Sequence, residues 1–428
     1  MNKLKAIFQD KYFLMLLMIF MLFVFLLPQN IYLYDKAFWY SWIVRLNEVG
    51  LGQIYQFSDV NYMPLFLYFL AGFGKIFITP ELIWQNIHLL KILVLFFDFS
   101  SIYLVVKLFQ KLNIQSSRVF FILFNIAFLY NTLFWGQVDG IYVFFVLFSL
   151  ILILYKRPTW GLLMFLVALN FKLQAIIFAP LVLIMAWPFI LKHREIILRT
   201  VVFGSLMQIL IFLPFLSQDK LPQILNVISN SAGFYPSISV NAYNFWYLLL
   251  GPLNVEGKDQ QILFLFSYRI WGYVLFAGSL IITLFPIIKT IKENIKSKHP
   301  FVINKSFVAS VFLTASLISL TFFFFSTEMH ERYAHAAIIL LGIYSLIKNR
   351  YLAYILVSLA YFLNLERILG FLDSADHTSP IFGSRFVAGL YLLGIIICFV
   401  YLYDQFFKTL FKKPLSVLHL FFTKVRKK

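Results

Sequence analysis

The chain has 428 residues, of which 61% are hydrophobic and only 13% charged, and its net charge is +18. A soluble protein this rich in Phe, Leu and Ile would lack polar surface to cover itself, and a membrane β-barrel would show short alternating segments. The apolar runs repeatedly reach the roughly 20 residues that cross a bilayer, so the sequence predicts an all-α polytopic membrane protein. Basic residues lie between the runs and indicate topology, not nucleic-acid binding. The single cysteine, Cys398, lies in an apolar run and supports neither a disulfide framework nor a zinc site.

The first 80 residues predict one span followed by an outer loop. A basic start precedes an apolar run over 12–27, which is long for a signal peptide and lacks a cleavage site, so we expect a retained span. Residues 34–55 alternate apolar and charged side chains at helical spacing, as in a helix lying in the membrane interface that ends near Gly50 and Gly52. The apolar piece 65–78 is short, so we interpret it as re-entrant or interfacial. The first outer loop is therefore 29–80.

The remaining spans follow from the rule that basic residues collect on the cytoplasmic side. The predicted spans are 82–106, 119–134, 139–155, 159–170, 173–190, 199–216, 264–288, 306–325, 334–347, 351–364 and 385–405. With the first span, this predicts a bundle of about twelve helices in one domain over 1–428, with both termini cytoplasmic. A large outer loop covers 217–262. The basic tail 406–428 is expected to lie on the inner surface as an amphipathic helix.

Residues 133–172 place Asp139 and Lys172 in hydrophobic surroundings. Asp or Lys at the centre of a membrane helix costs roughly 2.5 to 3.5 kcal/mol, so such residues indicate function. A single span over 159–190 would put the basic residues 192–194 outside, which favours a hairpin of two short arms. Its first arm would be only about 18 Å long against a layer of about 30 Å. Lys172 is therefore expected at the floor of a recess. By contrast, Lys91 and Asp98 are about 10 Å apart along one helix and are expected to be structural.

Five stretches resemble the GT-C glycosyltransferases, especially the bacterial group similar to the second mannosyltransferase of GPI-anchor synthesis. They are WGQVD at 135–139, RP at 157–158, FKLQ at 171–174, SVNAYNFW at 239–246 and MHERY at 329–333. Asp35 before a Trp-rich helix also agrees with the family's first-loop acid. One departure is NYMP at 61–64, where relatives usually have Asp-Tyr-Pro-Pro; Asp59 is the nearest carboxylate there.

The resemblance implies a GT-C-like bundle and the transfer of a hexose, such as mannose, from a polyprenyl-phosphate carrier with inversion. The acceptor would be a glycan such as a cell-envelope polysaccharide, a lipid or a protein. The site would face the extracytoplasmic side of a bacterial plasma membrane. Such a reaction needs a carboxylate that takes the acceptor's proton and cations that hold the departing phosphate. Partners are then the lipid-linked donor, the acceptor and membrane lipids, with no nucleic acid.

The candidate catalytic residues are Asp35, as the base, and Asp139, which would orient the acceptor or a metal ion. The alternative for either acid is a helix N-cap, and for Asp139 also an ion pair with Lys91 or Arg332. Lys172 and Arg332 would bind the donor phosphate; alternatively, Lys172 snorkels to the surface.

The candidate substrate-binding residues are His330, Glu331, Asn241, Asn244 and Gln137. The alternatives are a plain polar loop over 330–332 and membrane anchoring by the aromatic residues beside Asn241 and Asn244. No metal ligands are assigned, because 330–332 lacks the spacing of a helical zinc motif, and the requirement for a divalent cation stays open. Two other classes compete: a transporter or flippase of lipid-linked saccharides, and a polysaccharide polymerase or ligase. A transporter commonly carries internal repeats, and we find none.

Overall fold

The computed structural model describes residues 10–296, 303–372 and 382–411 of the chain. These residues form a helical bundle with one small antiparallel hairpin, β1 (Ile262–Leu263) and β2 (Phe266–Ser267). The prediction of an all-α polytopic architecture is confirmed. Most of the predicted basic tail, residues 412–428, lies outside the described residues.

Many of the helices follow one another with short connections, whereas the stretch 217–267 holds only two short helices and the hairpin. In chain order the α-helices are α1 (Lys11–Phe25), α2 (Leu33–Val49), α3 (Pro64–Ile76), α4 (Pro80–Asn86), α5 (Leu90–Lys111), α6 (Phe120–Leu123), α7 (Ile126–Tyr130), α8 (Asp139–Leu154), α9 (Pro158–Phe171), α10 (Ala179–Lys192), α11 (Glu195–Leu216), α12 (Leu221–Ser229), α13 (Phe245–Leu250), α14 (Tyr268–Lys296), α15 (Lys305–Phe325), α16 (His335–Lys348), α17 (Leu352–Leu369) and α18 (Ser384–Phe411). Short 3-10 helices lie at Leu51–Gln56, Ile87–Leu89, Ser116–Val119, Leu173–Phe178 and Glu331–Ala334, and a π-helical turn at Asn131–Trp135.

Seven helical stretches of the described chain are long and apolar enough to cross a membrane, or eight if the bent pair Ser116–Leu123 and Ile126–Trp135 is one span. The predicted count of twelve spans is therefore not established. Helices also occupy the other four predicted spans, namely α1, α8, α9 and α16, but these have only 14 to 16 residues. At about 1.5 Å per residue such helices are shorter than a hydrocarbon layer of about 30 Å.

Successive segments run alternately between two ends of the bundle. At one end, which we call the basic end, Lys107 binds Asp10 and Arg118 donates to Asn349. At the other end, the site end, Lys172 at the C-terminus of α9 meets Asp139 at the start of α8. This alternation agrees with the order of turns that the sequence predicts.

The first loop folds back on itself beside the bundle. Gly50 ends α2 with φ 77°, as predicted, and the chain then returns so that α3 packs parallel to α2. Near the start of α3 the Tyr55 hydroxyl donates to the Tyr62 carbonyl, and near its end the Asn47 amide donates to the Gly74 carbonyl at 3.0 Å. Both ends of α3 therefore contact other parts of the first loop, and its re-entrant or interfacial position stays a prediction.

The predicted hairpin over 159–190 is present. The chain leaves helical geometry at Lys172, where φ is −150° and ψ 122°, and resumes in the 3-10 helix before α10. Lys91 and Asp98 have the structural roles expected of them. The Lys91 ammonium donates to the carbonyls of Pro28, Asn30 and Leu133, and Asp98 accepts from the Thr132 hydroxyl at 2.6 Å.

Candidate active site

A cavity of about 610 Å³ lies at the site end of the bundle. Its walls come from α2, the 58–63 stretch, the hairpin turn at Lys172, α12 with the loop after it, and the segment between α15 and α16. Its lining includes the polar residues Asp35, Asn61, Tyr62, Lys172, Gln174, Asn226, Asn230, Tyr235, Asn241, Glu328, His330, Glu331, Arg332 and Tyr333. Segments far apart in the chain thus converge on one space.

Asp35 lines this cavity from the first turn of α2. The Trp135 indole N–H donates to Asp35 Oδ2 at 2.9 Å. The residue at the N-cap position of α2 is Tyr32, so Asp35 does not cap the helix as the alternative supposed. The structure thus leaves a carboxylate at the cavity wall with an ordered hydrogen-bond donor behind it.

Lys172 and Asp139 form an ion pair, with 2.5 Å between Lys172 Nζ and Asp139 Oδ1. The Asp139 side chain is fully buried and does not line the cavity, whereas Lys172 does. Lys172 also lies 4.9 Å from the ring centre of Tyr333. Asp139 pairs with neither Lys91 nor Arg332, and the N-cap of α8 is Val138. Its carboxylate therefore lies behind Lys172 and offers that lysine a buried counter-charge.

Arg332 supplies the second cation of the cavity. Its guanidinium donates to Glu331 at 2.9 Å, and its Nε has no partner among the described residues. Burial lowers the pKa of Arg332, but the charges of Asp35 and Glu331 outweigh burial and raise the pKa well above its ordinary value. Burial raises the pKa of Glu331, and Arg332 opposes that rise. The guanidinium therefore stays charged and lies within electrostatic reach of Asp35.

His330 lies in the same wall as a neutral side chain. Burial, followed by the charges of Arg332 and Lys172, lowers the pKa of His330 well below its ordinary value. Its ring packs edge-on against Tyr235 at 4.7 Å and against Tyr333 at 5.2 Å. Its Nε2 has no hydrogen-bond partner among the described residues. The imidazole can therefore exchange a hydrogen bond with a bound ligand without adding charge.

The three predicted amide residues take different positions. Asn241 lines the cavity in the left-handed conformation, with φ 63°, and its carbonyl accepts from Asn364. Asn244 instead caps α13 by accepting from Trp246 N at 3.1 Å, and its amide donates to carbonyls at the end of α15. Gln137 is fully buried outside the lining, and its amide has no partner in the described chain. Of the three, the structure brings Asn241 alone to the cavity.

Part of the cavity lining was not predicted from the sequence. Glu328, with φ 62°, accepts from Gly233 N at 2.8 Å and pairs with Arg269 at 3.0 Å, so it ties the 233–235 loop to the cavity wall. Burial raises the pKa of Glu328 to about 7. Its position directly before the 329–333 stretch was a usable signal. Asn226 and Asn230 of the α12 region carried no sequence signal beyond their four-residue spacing.

Asp59 pairs with Arg45 at 2.6 Å and does not line the cavity. It is the carboxylate nearest the NYMP stretch at 61–64, which differs from the family pattern. Among the described residues, no group of three or more His, Cys, Asp or Glu side chains is placed to hold a metal ion.

A scan against protein-family models gave no match to this chain, nor did a search of curated proteins. The candidate function is accordingly inferred from the cavity and its residues.

Proposed function

We propose that this chain is a membrane glycosyltransferase that moves a hexose, such as mannose, from a polyprenyl-phosphate carrier to a glycan, lipid or protein acceptor. The observation that carries the proposal is that one cavity holds a carboxylate, Asp35, together with two cations, Lys172 and Arg332. These are the groups that an inverting transfer from a phosphate carrier requires. The resemblance to GT-C glycosyltransferases supports the same reaction, with a GT-C-like bundle as the fold.

The reaction balances with these residues alone. The acceptor oxygen attacks the anomeric carbon from the face opposite the phosphate, and a new carbon–oxygen bond forms as the bond to the phosphate oxygen breaks. The electron pair of the broken bond leaves with the polyprenyl phosphate. The acceptor's proton passes to the Asp35 carboxylate. Lys172 and Arg332 stabilise the charge on the departing phosphate, as fixed cations in a water-poor site do.

The acidic neighbours of the two cations have a supporting role in this proposal. Asp139 fixes Lys172 and Glu331 fixes Arg332, so that neither cation has to be reoriented when the donor arrives. Preorganised charges of this kind need no reorganisation during the reaction. His330 and Asn241 then remain as neutral contacts for the sugars. Asp139 accordingly supports the cation, instead of touching the acceptor.

The proposal places the cavity on the extracytoplasmic side of a bacterial plasma membrane. It is supported by the lysines and arginines at the opposite end, among them Lys107, Arg118 and Lys156, because basic residues collect on the cytoplasmic side. The donor's lipid tail would remain in the bilayer while its phosphate enters the cavity.

A transfer assay with purified protein tests the function. The protein is reconstituted with a radiolabelled polyprenyl-phosphate hexose and a membrane extract that supplies acceptors. We expect free polyprenyl phosphate together with label on an acceptor, and neither product with Asp35→Asn.

Release of polyprenyl diphosphate from a diphosphate-linked donor alone would favour a polymerase or ligase. Movement of the intact donor between bilayer leaflets, without cleavage of its bond to phosphate, would favour a flippase. Either result would contradict the glycosyltransferase proposed here.

A further inference from the structure

Trp135 does not line the cavity, yet it contacts the proposed base directly. Its indole N–H donates to Asp35 Oδ2 at 2.9 Å across 100 residues of sequence. The Trp135 ring is fully buried. Among the residues that the structure describes, no other group hydrogen-bonds to the Asp35 carboxylate. One oxygen of Asp35 is thus held, and the other is left to accept a proton.

The local backbone explains how Trp135 reaches Asp35. Residues Asn131–Trp135 form a π-helical turn, in which the Asn131 carbonyl accepts from both Gly136 N and Gln137 N. Gly136 then ends the turn with φ 84°, and a Cβ there would meet Ile31 at 3.1 Å. A π-turn inserts one residue into a helix and often occurs at functional sites. Here it ends at Trp135, whose side chain contacts the start of α2.

The segments that carry the indole and the carboxylate are fixed to each other. Tyr32 N donates to the Trp135 carbonyl at 3.1 Å, and the Tyr32 ring lies 4.6 Å from the Trp135 ring. The buried Lys91 ammonium donates to carbonyls of both segments, to Pro28 on one side and Leu133 on the other. Movement of Asp35 away from the indole therefore requires several contacts to break together.

We propose that Trp135 is a positioning residue for Asp35, which it acts on without touching the substrate. The indole N–H holds one oxygen of the carboxylate and directs the second oxygen to the acceptor hydroxyl. A base that a third group orients in this way is the general arrangement of activated acid–base pairs. This inference rests on the proposed function, in which Asp35 is the base.

Trp135→Phe tests the role, since Phe keeps a ring against Tyr32 but has no N–H. A hydrogen bond to a charged group shifts an equilibrium by about 10 to 150 fold. We therefore expect kcat to fall by about 10 fold or more. KM for the lipid donor should stay unchanged, because the phosphate-binding cations are untouched.

Trp246→Phe is the matched control. The Trp246 ring is also buried, and its indole donates to the Phe325 carbonyl at 3.0 Å, but it does not line the cavity. We expect it to lower thermal stability while leaving kcat unchanged. β-(3-benzothienyl)alanine at position 135 keeps the shape of the indole and removes only the N–H, so it should give the same fall in kcat whether or not Trp135→Phe folds.

The outcomes separate the two proposals. If Asp35→Asn abolishes transfer but the position-135 variants match Trp246→Phe in kcat, the positioning role is wrong and the glycosyltransferase function stands. If the wild-type protein does not transfer sugar at all, both are wrong. A fall in kcat with Trp135→Phe that the benzothienyl variant does not share would also overturn the positioning role, since loss of packing alone would produce it.

Discussion

Asp35 is the residue whose side chain most directly tests the chemistry. Asn retains an oxygen that can accept from Trp135, so Asp35→Asn should keep the geometry of α2 while losing the ability to take a proton. General-base catalysis typically contributes a factor of 10² to 10⁴, so turnover should fall by at least about 100 fold. Donor binding and thermal unfolding in detergent should change little. The measurement is the initial rate of sugar transfer with saturating donor.

Asp59→Asn is the comparison for Asp35→Asn. Asp59 belongs to the same loop but pairs with Arg45 and does not line the cavity. We expect only a modest loss of rate from this variant. Normal transfer by Asp35→Asn, or loss of transfer in Asp59→Asn alone, would show that the base is misassigned.

Substitutions of Lys172 and Arg332 test phosphate binding separately from catalysis. Each charge-assisted contact is worth about 1.5 to 3 kcal/mol, so Lys172→Met and Arg332→Met should each weaken donor binding by about 10 to 150 fold. Because Lys172→Met leaves Asp139 buried without a counter-charge, it should also lower the unfolding temperature. The double variant Lys172→Met/Asp139→Asn should restore stability but not donor binding.

Lys107→Met serves as the control for the cation variants, since Lys107 pairs with Asp10 at the basic end. Donor affinity, measured by equilibrium binding of the labelled lipid, should be normal in this variant. Unchanged affinity in both Lys172→Met and Arg332→Met would exclude the cavity as the phosphate site.

At the scale of the element, the end of α2 depends on Gly50. Its φ of 77° and ψ of 166° lie in a region that residues with a side chain rarely adopt, although a Cβ at this position would meet no atom within 4 Å. Gly50→Ala should therefore destabilise the protein by about 1 to 3 kcal/mol through backbone strain alone. Thermal unfolding in detergent measures the change.

Gly72, in the same loop, is expected to respond to substitution by alanine in the opposite direction from Gly50. It lies inside α3, and a Cβ there would also meet no atom within 4 Å. Gly72→Ala should stabilise the protein by about 0.5 to 1 kcal/mol, because Ala has less backbone entropy to lose in a helix. If both alanine variants change stability in the same direction, conformation at Gly50 is not what ends α2.

The ends of elements were predictable where basic residues or a glycine mark a turn or the end of a helix. The hairpin turn at Lys172 followed from the basic residues at 192–194, and the end of α2 followed from Gly50. The number of membrane crossings could not be predicted from the sequence. The helices α8 and α9 are short, and a hydropathy pattern carries no information about their depth in the membrane. The sequence also did not reveal which side chains reach the cavity: Asp139, Gln137 and Asn244 lie in the expected segments but do not line it. The contact between Trp135 and Asp35 depends on a π-turn for which the sequence has no recognised signal.

At the scale of the whole molecule, sidedness is the property to measure. Asp219 and Lys192 flank α11 at opposite ends, and both side chains are exposed. In a Cys398→Ser background, Asp219→Cys should react with an impermeant maleimide in intact cells, and Lys192→Cys only after permeabilisation. The reverse pattern would place the cavity in the cytoplasm and contradict the proposed use of an extracytoplasmic donor.

The convergence of distant segments on one cavity has a consequence for biosynthesis. Asp35 leaves the ribosome early, Trp135 follows 100 residues later, and Arg332 comes only after roughly 300 residues, which takes about 15 to 60 s at typical rates of translation. The first loop therefore has its carboxylate before the indole that orients it, and both are made before the complete set of cations. A ribosome-bound chain is thus expected to be inactive until its later helices are inserted, and the membrane insertion machinery has to accommodate an unfinished polar surface in the meantime.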